Sequence, residues 1–121
     1  MVTVELPYPP SLNHYYRHVG NRTLISRQGR AYREAVVKLV GRLQLKPILG
    51  PLDLQIELFP PDRRRRDADN AQKALLDALT HGGVYGDDSQ IVHLDTWKRD
   101  PVPGGKAIVT IKEMDPAEGN E

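Results

Sequence analysis

Leu52-Asp53-Leu54-Gln55-Ile56-Glu57-Leu58 alternates apolar and polar residues without a break and stops at Pro60-Pro61. A period of two means that one face is buried while the other carries Asp53, Gln55 and Glu57, so the stretch reads as a half-exposed strand. Beyond a charged segment, Ala71, Ala74, Leu75, Ala78 and Leu79 form one stripe at helical spacing that ends at Gly82-Gly83. That spacing predicts a helix over about residues 70 to 80. Asp69, followed three positions later by Gln72, reads as its capping-box start.

The rest of the chain extends this pattern on both sides. Val2-Thr3-Val4-Glu5-Leu6 alternates and then meets Pro7-Tyr8-Pro9-Pro10, which suits a strand closed by residues that cannot donate to a ladder. Ser11 to Asn21 shows no sustained period and reads as a loop. Ser26 can cap a helix whose apolar members are Ala31, Tyr32, Ala35, Val36, Leu39, Val40 and Leu43, ending before Pro47. Ile91 to Arg99 and Ala107 to Lys112 read as strands joined by the turn Asp100-Pro101-Val102-Pro103-Gly104-Gly105. The order β, α, β, α, β, β predicts an α+β two-layer sandwich. Residues 1–121 are expected to form one domain, with residues 115–121 as a frayed tail.

Composition narrows the function classes. The 121 residues include no cysteine, which excludes disulfide frameworks, thiolate metal sites and cysteine nucleophiles. Nothing resembles a signal peptide or the long apolar run of a membrane span, so no membrane partner and a cytoplasmic, nucleoid-associated location are expected. The formal net charge of +1 hides a strong asymmetry: residues 11–50 hold eight Lys/Arg against the single acid Glu34. Such a basic segment suits a polyanion, or simply a solvated helix face. A chain this small also buries a modest core and gains from a partner subunit.

Pro61-Asp62-Arg63-Arg64-Arg65-Arg66-Asp67-Ala68-Asp69-Asn70-Ala71-Gln72-Lys73 concentrates the chemistry, with Gly86-Asp87-Asp88-Ser89-Gln90 following. Phosphodiester hydrolysis needs phosphate charge neutralised and a water activated, and Mg²⁺ on carboxylates does both. Mg²⁺ prefers oxygen ligands and keeps several waters, so Asp67 and Asp69 with Asp88 are enough donors. In an extended segment Asp67 and Asp69 would share a face. Asp88, just before the strand beginning near Ile91, completes the set if that strand neighbours the one ending at Phe59. Ordinary alternatives exist for each: Asp69 as an N-cap, Asp87-Asp88 as turn residues, Lys73 in an i, i+4 surface pair with Asp69 or Asp77. Lys73 would otherwise stabilise charge on the scissile phosphate. Two of the four arginines are expected on phosphate and two on acids such as Asp62. His14 and His18 lack a third ligand and are assigned no metal. Tyr15-Tyr16-Arg17 either stacks on an unpaired base or covers a loop.

Taken together, these segments resemble the RusA family of Holliday-junction resolvases over nearly the whole chain. The likeness rests on Pro7-Tyr8-Pro9-Pro10-Ser11 with Asn13, Tyr15-Tyr16-Arg17, Ser26 with Gly29, Ala31-Tyr32-Arg33, the arginine run through Asp69-Asn70 and Lys73, and Asp87-Asp88 with Gln90. The resemblance implies a homodimer that binds four-way DNA junctions and makes paired symmetric nicks with Mg²⁺, for which Mn²⁺ is a possible substitute. It implies a mixed sheet of about four strands with two main helices. It places metal ligands at Asp67, Asp69 and Asp88 and an essential lysine at Lys73. DNA contacts are expected from Arg17, Arg64, Arg66, Asn70, Tyr16, Arg27 and Arg30. Ala68 and Tyr8 depart from the family pattern without touching a ligand. Two other classes fit the residues: a non-catalytic junction-binding or DNA-binding protein, and a metal-dependent nucleotide-processing enzyme.

Overall fold

A computed structural model describes residues 1–114; the expected tail at 115–121 lies outside them. The main sheet has four strands in the order β1-β6-β4-β5, namely β1 (Val2–Leu6), β4 (Leu52–Phe59), β5 (Ile91–Lys98) and β6 (Lys106–Glu113). Two long helices, α2 (Arg27–Arg42) and α3 (Ala68–His81), accompany it. β6 pairs antiparallel with both β1 and β4, whereas β4 and β5 pair in parallel, so the sheet is mixed. The parallel pair requires a crossover, which α3 supplies.

Alternation in β4 works as its sequence predicts. Leu52, Leu54, Ile56 and Leu58 are buried, and so are Val4, Leu6, Ala107, Val109 and Ile111 from the neighbouring strands. Ala71, Ala74, Leu75, Ala78 and Leu79 of α3 and Tyr32, Val36 and Val40 of α2 complete the core. Ala31 and Leu43, expected on the core stripe of α2, are exposed. Ser26 caps α2 as expected, its Oγ accepting the Gly29 N–H at 2.9 Å.

Two expectations give way. Ser11 to Asn21 is not a loop: it folds as a one-turn helix α1 (Leu12–Tyr15) and the hairpin strand β2 (Tyr16–Val19), which pairs antiparallel with β3 (Arg22–Ile25). The hairpin turns on Gly20-Asn21, with Gly20 at φ +60, a conformation glycine adopts without penalty. Its outer residues are exposed, so no apolar alternation announces it. The capping box at Asp69 does not form either. α3 begins at Ala68 with Asp67 as N-cap, Asp69 sits in the first turn, and the Gln72 amide oxygen is taken by Thr96 Oγ1 of β5 at 2.6 Å.

A polar node joins α1, α2 and α3. Tyr15, fully buried, donates its hydroxyl to Asp77. Arg33 grips the same carboxylate through Nε at 2.7 Å and Nη2 at 3.1 Å. Burial alone would push the Asp77 carboxyl up; the hydrogen bonds from Arg33 and Tyr15 outweigh it and hold the carboxyl below its ordinary value. Around the same point a Cβ at Gly29 would collide with the Tyr15 carbonyl and lie 2.8 Å from Ile25 Cγ1, so only glycine lets α2 approach this closely. Tyr15 therefore serves packing, and the base-stacking alternative for it fails.

Candidate functional site

Pro60 and Pro61 end β4, and the arginine run that follows is folded by one acid. The Asp62 carboxylate accepts the Arg64 N–H at 2.9 Å and Arg66 Nη1 at 2.7 Å. These two bonds, Arg66 first, hold its carboxyl down at about 2. Arg66 also lies over the Tyr8 ring, 5.8 Å from its centroid. Arg66 is thus held within the protein, whereas Arg63, Arg64 and Arg65 are exposed. The expected division of the run is visible: Arg66 at 2.7 Å and, more loosely and from an exposed position, Arg64 at 3.8 Å pair with Asp62, while Arg63 and Arg65 are exposed without an ion pair among the described residues.

The loop delivers Asp67 and Asp69 to the start of α3. Asp67 is extended, its side chain makes no capping hydrogen bond, and both acids are exposed. Because Asp69 is already helical, the pair is not the extended same-face pair expected from its spacing. Negative charge at this end of a helix is favoured by the exposed N–H groups and the dipole. Tyr8, Ser11, Arg64, Arg65, Asp67 and Asn70 line an open cleft of about 630 Å³ here.

Asp88 lies elsewhere. It opens a 3-10 turn (Asp88–Gln90) that Asp87 caps by accepting the Ser89 N–H at 3.0 Å. Gln90 staples the turn to the body, with Oε1 accepting the Gly86 N–H at 2.7 Å and Nε2 donating to the carbonyls of Ile48 and Gly50 at 2.8 and 2.9 Å. Asp88 Oδ1 faces Thr80 Oγ1 at 2.8 Å and the Tyr85 hydroxyl at 3.3 Å. Thr80 belongs to the last turns of α3. A second cleft of about 600 Å³ contains Lys73, Asp77, Thr80, His81, Asp87 and Asp88, with Tyr16 at its edge.

The two acidic groups are therefore separated by α3, a 14-residue helix about 21 Å long at 1.5 Å per residue. The strand after Asp88 does neighbour β4, but in parallel, so Ile91 sits beside Leu52 and not beside Phe59. The expected neighbouring of the two strands is met, yet their parallel pairing leaves Asp88 at the end of the sheet away from Asp67 and Asp69. Among the described residues of one chain, no three His, Asp or Glu side chains are gathered as a metal site. Lys73 lies one turn beyond Asp69 and projects from the exposed face of α3. The surface ion pair that was its ordinary alternative is absent among the described residues, and Asp77 is taken by Arg33 and touched by His81 at 3.9 Å.

Arg17 is exposed on β2 and Tyr16 half-buried beside it, its ring edge-on to Tyr15 at 4.8 Å. Arg27 and Arg30 are exposed in the first turn of α2, where the dipole disfavours cations. Reading the sequence missed Thr80 and Tyr85 as the groups around Asp88, and Arg33 as the partner of Asp77. Tyr85 stands three residues from Asp88, a signal available in the sequence; Thr80 and Arg33 meet their partners only through the fold.

Residues 7–112 match the profile of the family described as Endodeoxyribonuclease RusA. The chain is 46% identical over 120 residues to the crossover junction endodeoxyribonuclease RusA of Shigella sonnei, covering 98% of this chain and 97% of that protein. It is 45% identical over 120 residues to the protein of the same name from Escherichia coli strain K12, with the same coverage. With that of Enterobacteria phage 82 it shares 46% identity over 119 residues, 98% of this chain and 96% of the relative. The strand and helix signals, the arginine loop and the full-length similarity converge: the chain belongs to the RusA family of endodeoxyribonucleases.

Proposed function

We propose that this protein is a Mg²⁺-dependent endodeoxyribonuclease that nicks four-way DNA junctions as a homodimer, with Asp67 and Asp69 of one subunit and Asp88 of the other forming each metal site. The observation that carries this reading is the placement of two exposed carboxylates, without an ion pair among the described residues, at the start of α3, immediately after three exposed arginines. The donor chemistry fits Mg²⁺, a hard cation with oxygen ligands. One chain alone does not fit, because α3 keeps Asp88 about 20 Å away; a second copy running the opposite way supplies it. When bound, the ion lowers the pKa of a coordinated water and neutralises phosphate charge.

The chain's own residues do the rest. Arg63, Arg64 and Arg65 attract and orient the phosphodiester backbone, while Arg66 keeps the loop folded over Tyr8 through Asp62. Lys73, one turn from Asp69, places an ammonium beside the scissile phosphate, a role suited to a compact cation. Arg27 and Arg30 add positive charge to the positive end of α2, an arrangement that weakens the free helix and that a bound phosphate relieves. Asn70 in the first cleft, Tyr16 in the second and exposed Arg17 beside Tyr16 extend the DNA contact.

The test is incubation of a labelled four-way junction and a matched duplex with protein and Mg²⁺. Symmetric nicks in the junction support the reading, and junction binding without any nick refutes it. Mixing Asp69→Asn with Asp88→Asn subunits then examines the shared site. A mixed dimer retains one intact Asp67/Asp69/Asp88 set if the site is shared and none if each chain builds its own. Recovered single-strand nicking is the expected result; two inactive variants that stay inactive when mixed would exclude sharing.

A further inference from the structure

Of the three acids in the proposed metal site, Asp88 alone is met by hydroxyl groups among the described residues. Thr80 Oγ1 stands 2.8 Å from its Oδ1 and the Tyr85 hydroxyl 3.3 Å from the same atom, while Oδ2 accepts no hydrogen bond among the described residues. Both hydroxyls also lie against the Leu76 carbonyl, at 2.9 and 3.3 Å. Each hydroxyl has one hydrogen to donate, and an ionised carboxylate and a carbonyl only accept, so the two acceptors compete for two hydrogens. Leu76 lies four residues before Thr80 within α3, where its carbonyl already serves the helical ladder. A charged acceptor makes hydrogen bonds roughly twice as strong as a neutral one. Both hydrogens therefore turn to Asp88 Oδ1 while that carboxylate is ionised.

We propose that Thr80 and Tyr85 are positioning residues of the metal site: together they saturate Oδ1 of Asp88 and reserve Oδ2 as the single oxygen that meets the cation. This rests on Asp88 being a metal ligand, and it is independent of which subunit's Asp67 and Asp69 complete the set. The ordinary roles of the two side chains account for less. A threonine often bonds back to the carbonyl four residues earlier in a helix, and buried Tyr85 packs in the core. Neither role brings two hydroxyls to one carboxylate oxygen.

Asp88 is placed where such support matters. It is exposed, on a three-residue 3-10 turn, and an unsupported side chain there is free to change rotamer and to offer either oxygen. Mg²⁺ demands near-ideal octahedral geometry, so a wandering carboxylate is a poor ligand for it. The hydroxyls come from parts of the chain that the core fixes. Thr80 stands on α3, and Tyr85 is held by burial and by the backbone bridge to Ile48. The helix that presents Asp69 in its first turn thus orients Asp88 from its last.

The test is titration of the DNA-free protein with Mn²⁺, followed by loss of the free-ion electron paramagnetic resonance signal, beside the Mg²⁺ midpoint of junction nicking. Thr80→Val and Tyr85→Phe keep the side-chain shape and remove one hydroxyl each. Each should weaken Mn²⁺ binding by about tenfold, the lower end of what groups supporting a metal ligand contribute, and shift the Mg²⁺ midpoint by a like factor. The nicking rate at saturating Mg²⁺ should fall less than the midpoint shifts. Thr80→Ser, which keeps the hydroxyl, should bind Mn²⁺ as wild type does. Melting temperatures check each fold, and Tyr85→Phe, which loses a single oxygen atom, carries the test if Thr80→Val unfolds. Unchanged Mn²⁺ affinity in the folded hydroxyl variants, or a loss in Thr80→Val that Thr80→Ser repeats, would overturn the proposal. Asp88→Asn separates the two levels. If it weakens Mn²⁺ binding and nicking while the hydroxyl variants do neither, the metal site stands and this inference falls; if Asp88→Asn binds Mn²⁺ and nicks as wild type does, Asp88 is no ligand and both fall.

Discussion

Helix α3 carries acids in two opposite conditions. At Asp77 the carboxylate is spent on the protein itself: Arg33 grips both oxygens, Tyr15 donates to it, and three helices are tied together. At Asp67 and Asp69, two turns earlier, the carboxylates are exposed and enter no ion pair among the described residues. The same chemical group thus serves cohesion at one point and remains available at another. What separates them is whether a cation of the protein has been placed within reach. Stability and function should therefore respond to substitution independently at the two places.

The largest effect is expected at Asp69. Asp69→Asn should slow junction nicking by about 10³-fold, equivalent to about 4 kcal/mol on the barrier, because a metal-binding oxygen is lost. Junction binding and the unfolding temperature should barely change; a large drop in melting temperature would mean that Asp69 is a structural acid after all. Lys73→Ala should cost about 10²-fold in nicking, the size seen when one charge-stabilising donor is removed. Full activity in that variant would return Lys73 to the solvated face of α3.

Asp77→Asn should behave inversely. Losing the charge that faces Arg33 should destabilise the fold by about 2 kcal/mol, lowering the melting temperature by roughly 10 °C, with nicking intact at low temperature. The pH dependence has a definite sign. The Asp77 carboxyl is depressed in the folded state, so its stabilisation is fully present above the ordinary carboxylate value and disappears as pH falls through the depressed one. Wild type and Asp77→Asn should consequently converge in stability in strong acid, as followed by calorimetry. A constant difference across pH would show that the carboxylate's charge contributes nothing.

The smallest effect distinguishes the arginines. An arginine that neutralises one phosphate should, when removed, flatten the slope of log K against log salt by about 0.9 for duplex arms. Arg64→Ala and Arg65→Ala should each do so. Arg66→Ala should alter the loop more than the slope, since Arg66 is bound to Asp62. An unchanged slope in all three would remove the loop from the DNA interface.

Much of this was legible in the residue order because it depends on local periodicity. The alternation of β4 and the stripe of α3 each encode one buried face, and Ser26 announces its helix by its own hydroxyl. The β2–β3 hairpin was missed because Arg17, His18 and Arg22 leave it no apolar face to declare. The separation of Asp88 from Asp69 was illegible for a different reason. Whether β4 and β5 run parallel or antiparallel decides it, and that depends on where the returning helix packs, not on any residue near Asp88.

Val2 pairs with Ile111, so the first strand joins the last, across more than a hundred residues. During synthesis at about 5–20 residues per second, β1 emerges several seconds before β6 exists. The β4–α3–β5 unit can close before β6 exists, but the N-terminal strand must wait with its edge unpaired until β6 has been made. Released chains that stop before Lys106 should accordingly remain sensitive to protease within β1 while α3 is already protected.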